Sequence, residues 1–238
     1  MRYFRLFFGG LLLILIAKGA CMAQDNDPYT YKTPDRDGTG KVYKGREISK
    51  IMSFHGVNWL ERPSRSREEN TDEAIANLPL EPDHQVADIG AGSGFYTFRI
   101  AKRVPEGKVY AVEVQEEALI YLKDKAEELG VTNVEATKGD EKTPNLSNNA
   151  LDMVIMVDVY HELLYPHEML AAIKKSLKTD GKLVLIEYRG EDPEVAIKPL
   201  HKMTLAQIEK EMKANGFHLA EKGDFMHMQH FLVYQKGE

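Results

Sequence analysis

The run Val86-Ala87-Asp88-Ile89 leads into glycines at alternate positions, Gly90, Gly92 and Gly94, separated by Ala91 and Ser93, and then into Phe95 and Tyr96. Glycine has no Cβ and tolerates positive φ, so such a turn brings bare backbone up to a ligand. Glu113 ends the next apolar run, 19 residues after Gly94. A carboxylate there can accept hydrogen bonds from two neighbouring hydroxyls, as on a ribose. Gly139-Asp140-Glu141 follows the third apolar run, and Asp158-Val159-Tyr160-His161-Glu162 follows the fourth. An imidazole that titrates near neutrality is suited to removing a proton from an acceptor, and a tyrosine to stacking on one. His161 also reads as a histidine that merely holds its loop, and Tyr160 as core. In the dinucleotide fingerprint G-x-G-x-x-G the third glycine falls one residue later, where this chain has Phe95. Glu113 by itself does not separate dinucleotide ligands from other nucleosides.

These residues need strands that end where they stand. Apolar runs over 85–89, 108–114, 134–137, 151–157 and 182–186 read as strands, the fourth and fifth continuous enough to be buried in a parallel sheet. Helical spacing fills 95–103, 115–129, 166 onward to Gly181, and 204–215. Two further strands, 217–220 and 231–234, follow without a helix between them. The pattern predicts an α/β fold: a Rossmann-like, doubly wound, mostly parallel seven-stranded sheet closed by a C-terminal antiparallel hairpin. Residues 24–44 are polar, carry Pro28 and Pro34, and read as a poorly ordered linker; 48–60 read as one or two short helices.

The glycine turn with its preceding acid resembles motif I of the class I S-adenosylmethionine (SAM) methyltransferases, and the resemblance extends over most of the chain after about residue 66. It implies SAM as cofactor. Asp88, Gly90, Ala91, Gly92, Ser93 and Gly94 would meet its amino-acid part, with Tyr96 over the methionine end. Glu113 would take the ribose, and Val114, Asp140 and Glu141 the adenine. Asp158, Tyr160 and His161 would stand at the acceptor, with His161 as base. His55, Trp59, Glu61 and Arg62 suit a lid. Glu187-Tyr188-Arg189 and His201-Lys202-Met203 are further candidates for the acceptor pocket. No metal site is assigned: Asp158 lacks the Asp-Asn pair of a catechol-type magnesium site, and His167, His227 and His230 have no ligand spacing.

The 238 residues carry 43% hydrophobic and 29% charged residues, as in a soluble globular protein. Residues 1–23 differ. Arg2 and Arg5 precede an apolar run over 6–17 and small residues up to Ala23, which reads as a secretory signal cut after Ala23, with lipidation at Cys21 or an uncleaved anchor as alternatives. Residues 24–65 then form a linker and helical segment, and 66–238 the catalytic domain. Export sits awkwardly with a cofactor made in the cytoplasm. No cysteine follows Cys21, which excludes a thiol nucleophile, a disulfide and a thiolate metal site beyond it. The formal charge is −6, and −9 once Arg2, Arg5 and Lys18 are removed, the opposite of the balance expected for a long phosphate backbone. The resulting expectation is direct methyl transfer to a small-molecule acceptor, with no nucleic acid and no stable membrane span after cleavage. The alternatives are a silent SAM- or nucleoside-binding protein and a nicotinamide-dependent oxidoreductase.

Overall fold

The computed structural model describes Met1 and residues 27–237. The signal expected over 1–23, with Cys21 and the cut at Ala23, lies outside the described residues. Strands β1 (Tyr29–Tyr31), β2 (Gly38–Tyr43) and β3 (Arg46–Ser49) form an antiparallel sheet of their own. A 3-10 turn, Phe54–Gly56, and three short helices follow: α1 (Val57–Leu60), α2 (Arg65–Glu69) and α3 (Thr71–Ala76). Alternation then begins with β4 (Gln85–Ile89), α4 (Thr97–Ala101), β5 (Lys108–Glu113), α5 (Glu116–Glu128) and β6 (Val134–Lys138). It continues through β7 (Leu151–Val157), α6 (Pro166–Ser176), β8 (Leu177–Tyr188) and α7 (Leu205–Ala214) to β9 (Phe217–Gly223) and β10 (Gln229–Lys236).

The second sheet has seven strands in the order β6-β5-β4-β7-β8-β10-β9. β4 through β8 pair in parallel, and β10 runs antiparallel between β8 and β9, as the alternating pattern and closing hairpin predict. Successive strand residues point to opposite faces. Val154, Met156, Leu183 and Leu185 therefore meet Leu170 and Ile173 of α6 and Ile208 and Met212 of α7. Met153, Ile155, Val184 and Ile186 face the other way, toward Ile75, Ile100 and Val104. The chain reverses its winding direction between β4 and β7, and ligands of open parallel sheets gather at the carboxyl ends of such strands.

Two expectations fail. The helix after Pro166 ends at Ser176, and Gly181 lies inside β8, where a Cβ would meet the Leu151 carbonyl at 2.9 Å. Close strand approach, not helix termination, is what that glycine permits. The polar stretch read as a linker forms β1 and β2. Its few apolar residues suffice because Tyr29, Tyr43 and Ile48 make a small core with Tyr165, while Lys41 Nζ stands 3.8 Å from the Tyr29 ring centre and 3.3 Å from that of Tyr165. Buried Glu47 accepts the Gly40 and Asp35 amides at 2.8 and 3.0 Å, so its charge is hydrogen-bonded rather than stranded.

This sheet braces the turn after β7. Arg46 gives Glu211 of α7 two hydrogen bonds of 2.8 and 3.0 Å, and its Nη1 donates to the His161 carbonyl at 3.0 Å. Glu211 is buried and Arg46 nearly so, and removing the arginine leaves a buried carboxylate uncompensated. Arg46→Ala should destabilise the chain by about 3–5 kcal/mol in urea denaturation. A loss below about 1 kcal/mol would show that the sheet is a passive attachment.

Candidate functional site

A cavity of about 1170 Å³ opens at the carboxyl ends of β4, β5 and β7. Gly90 and Gly92 line it, with φ of +71° and +54°. The turn is tight because the Gly90 and Ala91 amides both bond the Val112 carbonyl, at 2.9 and 3.2 Å. An added Cβ at Gly92 would strike Leu60 of α1, and one at Gly90 would strike Val159. Ala91, Ser93 and Gly94 lie behind the turn and do not line the cavity, and a Cβ at Gly94 would strike Phe98 of α4 and Leu122 of α5.

Glu113, at the end of β5, lines the cavity and ties the turn down. Oε1 accepts the Gly92 amide at 3.1 Å, and Oε2 accepts the amides of Val114 and Gln115 at 2.8 and 3.3 Å. Val114, Asp140 and Glu141 line the adjoining wall. Asp140 Oδ1 already takes the amides of Lys142 and Thr143. A bare glycine turn, a carboxylate at the end of the neighbouring strand and a polar wall beyond it fit the amino-acid, ribose and adenine parts of SAM.

Asp88 and Tyr96 stand elsewhere than expected. Neither lines the cavity. The Asp88 carboxyl is buried beneath the turn, where the Thr97 hydroxyl donates to it. Tyr96 is buried with its hydroxyl unpartnered, 5.7 Å from its ring centre to the Arg65 guanidinium.

The acceptor-side residues separate as well. Asp158 lines the cavity in a left-handed backbone conformation, φ +53°. One of its oxygens accepts from Gln229 at 2.7 Å, and the other is buried without a partner. Burial, aided by Glu69 and Glu187, pushes its pKa well above the usual carboxylate range. Tyr160 turns away from the cavity into the core, donating its hydroxyl to Glu211 at 2.8 Å. It cannot touch an acceptor from there, so its catalytic assignment is corrected to a structural one.

His161 lines the cavity, with Nδ1 2.7 Å from Glu187 Oε2 and Nε2 3.7 Å from Glu162 Oε1. Burial acts to lower its pKa, but Glu187 and Glu162 outweigh it and hold the imidazole at about 10. An imidazole that keeps its proton at neutral pH does not abstract one, so the assignment of His161 as base is corrected too.

Tyr188 and His201 do line the cavity, as do Trp59, half exposed under the Arg62 guanidinium at 3.8 Å, and Ser49 through Phe54. Arg65 also lines it. It sits in the polar stretch 61–70, but it is buried with Nε 2.9 Å from Glu69 Oε2, and Tyr188 donates to the other Glu69 oxygen at 2.8 Å. Only the fold turns that helix inward, and no local signal distinguishes it.

The buried Asp88 carboxyl has its pKa raised to about 6 by burial, in part against the Thr97 hydrogen bond. The folded protein therefore keeps a proton that the unfolded chain has already lost, and stability falls as pH rises from about 4 to 6. Asp88→Asn should stabilise the SAM-free protein at pH about 7.5, on the order of 2–3 kcal/mol, and leave it unchanged near pH 3.5. Thermal melts of the two proteins across that range test this; a gain equal at both pH values would refute it.

Comparison with known proteins agrees with this geometry. A family model described as a methyltransferase domain matches residues 80–232. The crystal structure of a SAM-dependent methyltransferase from Aquifex aeolicus superposes with a TM-score of 0.73 at 26% identity, over 77% of this chain and 98% of that one. The trans-methyltransferase CalH in complex with SAH shares the fold, with a TM-score of 0.57 at 17% identity over 69% of this chain and 55% of that one. Among curated proteins, a tRNA U34 carboxymethyltransferase of Desulfotalea psychrophila is 34% identical over 110 residues, covering 46% of this chain and 34% of that one. One from Helicobacter pylori is 30% identical over 116 residues, covering 47% and 43%. The chain thus spans about a third to two fifths of the curated relatives it matches. Those names overturn the expectation of a small-molecule acceptor with no nucleic-acid partner. The matched domain, the strand order and the glycine turn agree: the chain belongs to the methyltransferase domain family.

Proposed function

We propose that the acceptor enters the cavity against the wall formed by Asp158, Glu162, Tyr188 and His201, opposite the glycine turn. The observation that carries this reading is that both sets of residues line one continuous cavity. When bound, SAM supplies a methyl group on a positively charged sulfur, already reactive toward a nucleophile. The chain's task is then mainly positioning and exclusion of water. Glu113 orients the nucleoside end. Leu60 and Trp59 close over the turn, and the buried carboxyl of Asp158 can donate or accept a hydrogen bond at the acceptor. His161, its ring held by Glu187, lines the same wall.

The curated relatives favour a tRNA acceptor. Lys50, Lys138 and Lys198 line the cavity and are exposed, so they can meet phosphates at its mouth. The acidic balance elsewhere restricts that contact to a few phosphates. A base would reach this cavity only by leaving its stack.

Isothermal titration of the full chain should show binding of SAM and S-adenosylhomocysteine and none of NAD. Glu113→Ala should weaken SAM binding by about 1–3 kcal/mol. Label from methyl-labelled SAM should pass to bulk tRNA in the presence of the wild-type chain. Label found only in RNA-free extract, or a mature chain beginning at Gln24 recovered outside the cytoplasm, would remove tRNA as the acceptor. Absence of SAM binding would remove the whole reading.

A further inference from the structure

Three side chains from two turns converge on one wall of the cavity. His161 and Glu162 lie in the 3-10 turn Tyr160–Glu162, and His201 in the 3-10 turn Pro199–His201. Nε2 of His161 stands 3.7 Å from Oε1 of Glu162, and Nδ1 of His201 stands 3.4 Å from that same oxygen. One ligand atom from each residue lies within 4.8 Å of the other two. Ligands at 2.0–2.2 Å around a tetrahedral zinc ion are separated by about 3.3–3.6 Å, so little movement would close them on a common centre.

The atoms behind these three are arranged as around a metal ligand. His161 Nδ1 meets the buried Glu187 carboxylate at 2.7 Å. A metal-bound histidine usually gives its second nitrogen to such a carboxylate, which fixes the tautomer and leaves the other nitrogen's lone pair free. Glu162 is oriented by the Met52 amide, which donates to Oε2 at 3.1 Å and leaves Oε1 to the two imidazoles. The His161 carbonyl is held by Arg46 Nη1 and Ser49 Oγ at 3.0 and 3.3 Å, so the turn cannot readily swing away. The arrangement is open on the cavity side, as in sites that keep a coordination position for water or substrate. Two carboxylates, Glu162 and Glu187, beside two imidazoles attract a cation.

We propose that His161, Glu162 and His201 bind one divalent first-row transition ion, with Glu187 as the positioning residue behind His161. Two imidazoles and one carboxylate suit zinc or ferrous iron and disfavour magnesium and calcium, which take oxygen ligands. The open position faces the cavity. Resting on the methyl-transfer reading above, it would take an oxygen of the acceptor. The ion itself does not depend on that reading.

The test uses the untagged full chain, stripped of metal with a chelator and titrated separately with Zn²⁺, Co²⁺ and Mg²⁺. One Zn²⁺ per chain is expected by calorimetry, with visible absorption from Co²⁺ of low coordination number and no heat from Mg²⁺. His201→Ala and Glu162→Gln should each weaken Zn²⁺ binding at least tenfold. His201→Asp keeps a ligand atom and should retain Co²⁺ absorption, which separates ligand loss from misfolding. Wild-type chain without Zn²⁺ binding, or affinity unchanged in both His201→Ala and Glu162→Gln, overturns the proposal and leaves three residues joined only by ion pairs. SAM titrated into the same samples keeps the two readings apart. SAM binding without Zn²⁺ binding ends the metal site alone, and Zn²⁺ binding without SAM binding supports the metal site and ends its link to methyl transfer.

Discussion

Two turns at the cavity, those after β4 and β7, are each held by a glutamate from the end of the next strand. Glu113 ends β5 and accepts the Gly92 amide of the turn that follows β4. Glu187, near the end of β8, accepts the Tyr160 amide at 2.7 Å and the His161 ring from the turn that follows β7. Strand ends present amides with no ladder partner, and amides buried under a covering layer cannot turn to water. An ionised carboxylate satisfies two or three of them at once and makes stronger bonds than a neutral acceptor. Shape at the site thus comes from two buried negative charges, and those charges make the cavity a place for cations.

The small N-terminal sheet belongs to the same arrangement. It supplies Arg46 to the Glu211 carboxylate and the His161 carbonyl, and the segment after β3 supplies the Met52 amide to Glu162. Without it the turn at Tyr160–Glu162 would keep its Glu187 contacts but lose its outer support. The segment that follows brings Leu60 against Gly92 and Arg65 beside Phe95, at 4.4 Å from the ring centre. Cavity wall and cavity cover are therefore one continuous stretch of chain. A motion of residues 46–65 would alter cofactor access and acceptor geometry together.

The sheet, its order of alternation and its glycine turn were legible in the sequence because each rests on local pattern. Continuous apolar runs such as Leu151–Val157 have few other folded uses, and Gly-x-Gly-x-Gly before a helix needs positive φ. Glu113 was legible through its spacing from that turn. The N-terminal strands were not, because their core is three residues and the remainder is polar. Tyr160 and His161 stand on the loop the sequence points to, in the core and loop-holding roles that it offered beside the catalytic ones. Their partners Glu211 and Glu187 lie 51 and 26 residues away, and only the fold brings them into contact. His201 and Glu162 are separated by 39 residues and share no periodicity, so their approach to 3.4 Å follows from the sheet rather than from any motif.

Buried acids left short of partners extend this account from shape to energy. Asp158 has one orphaned oxygen, and the Asp88 carboxyl is raised to about 6 by burial, with Glu113 adding to the effect. Each is a charge that burial disfavours. A cation placed in the cavity reverses that preference, since an opposite charge nearby favours the ionised form. The sulfonium and ammonium of SAM carry such charge, and so would an ion held by His161, Glu162 and His201. An acceptor oxygen lying between two cations would be stabilised as the oxyanion, the form that attacks a methyl group without a separate base. Methyl transfer at such a wall would then need no side chain as base, because the two charges would do what proton abstraction otherwise has to do.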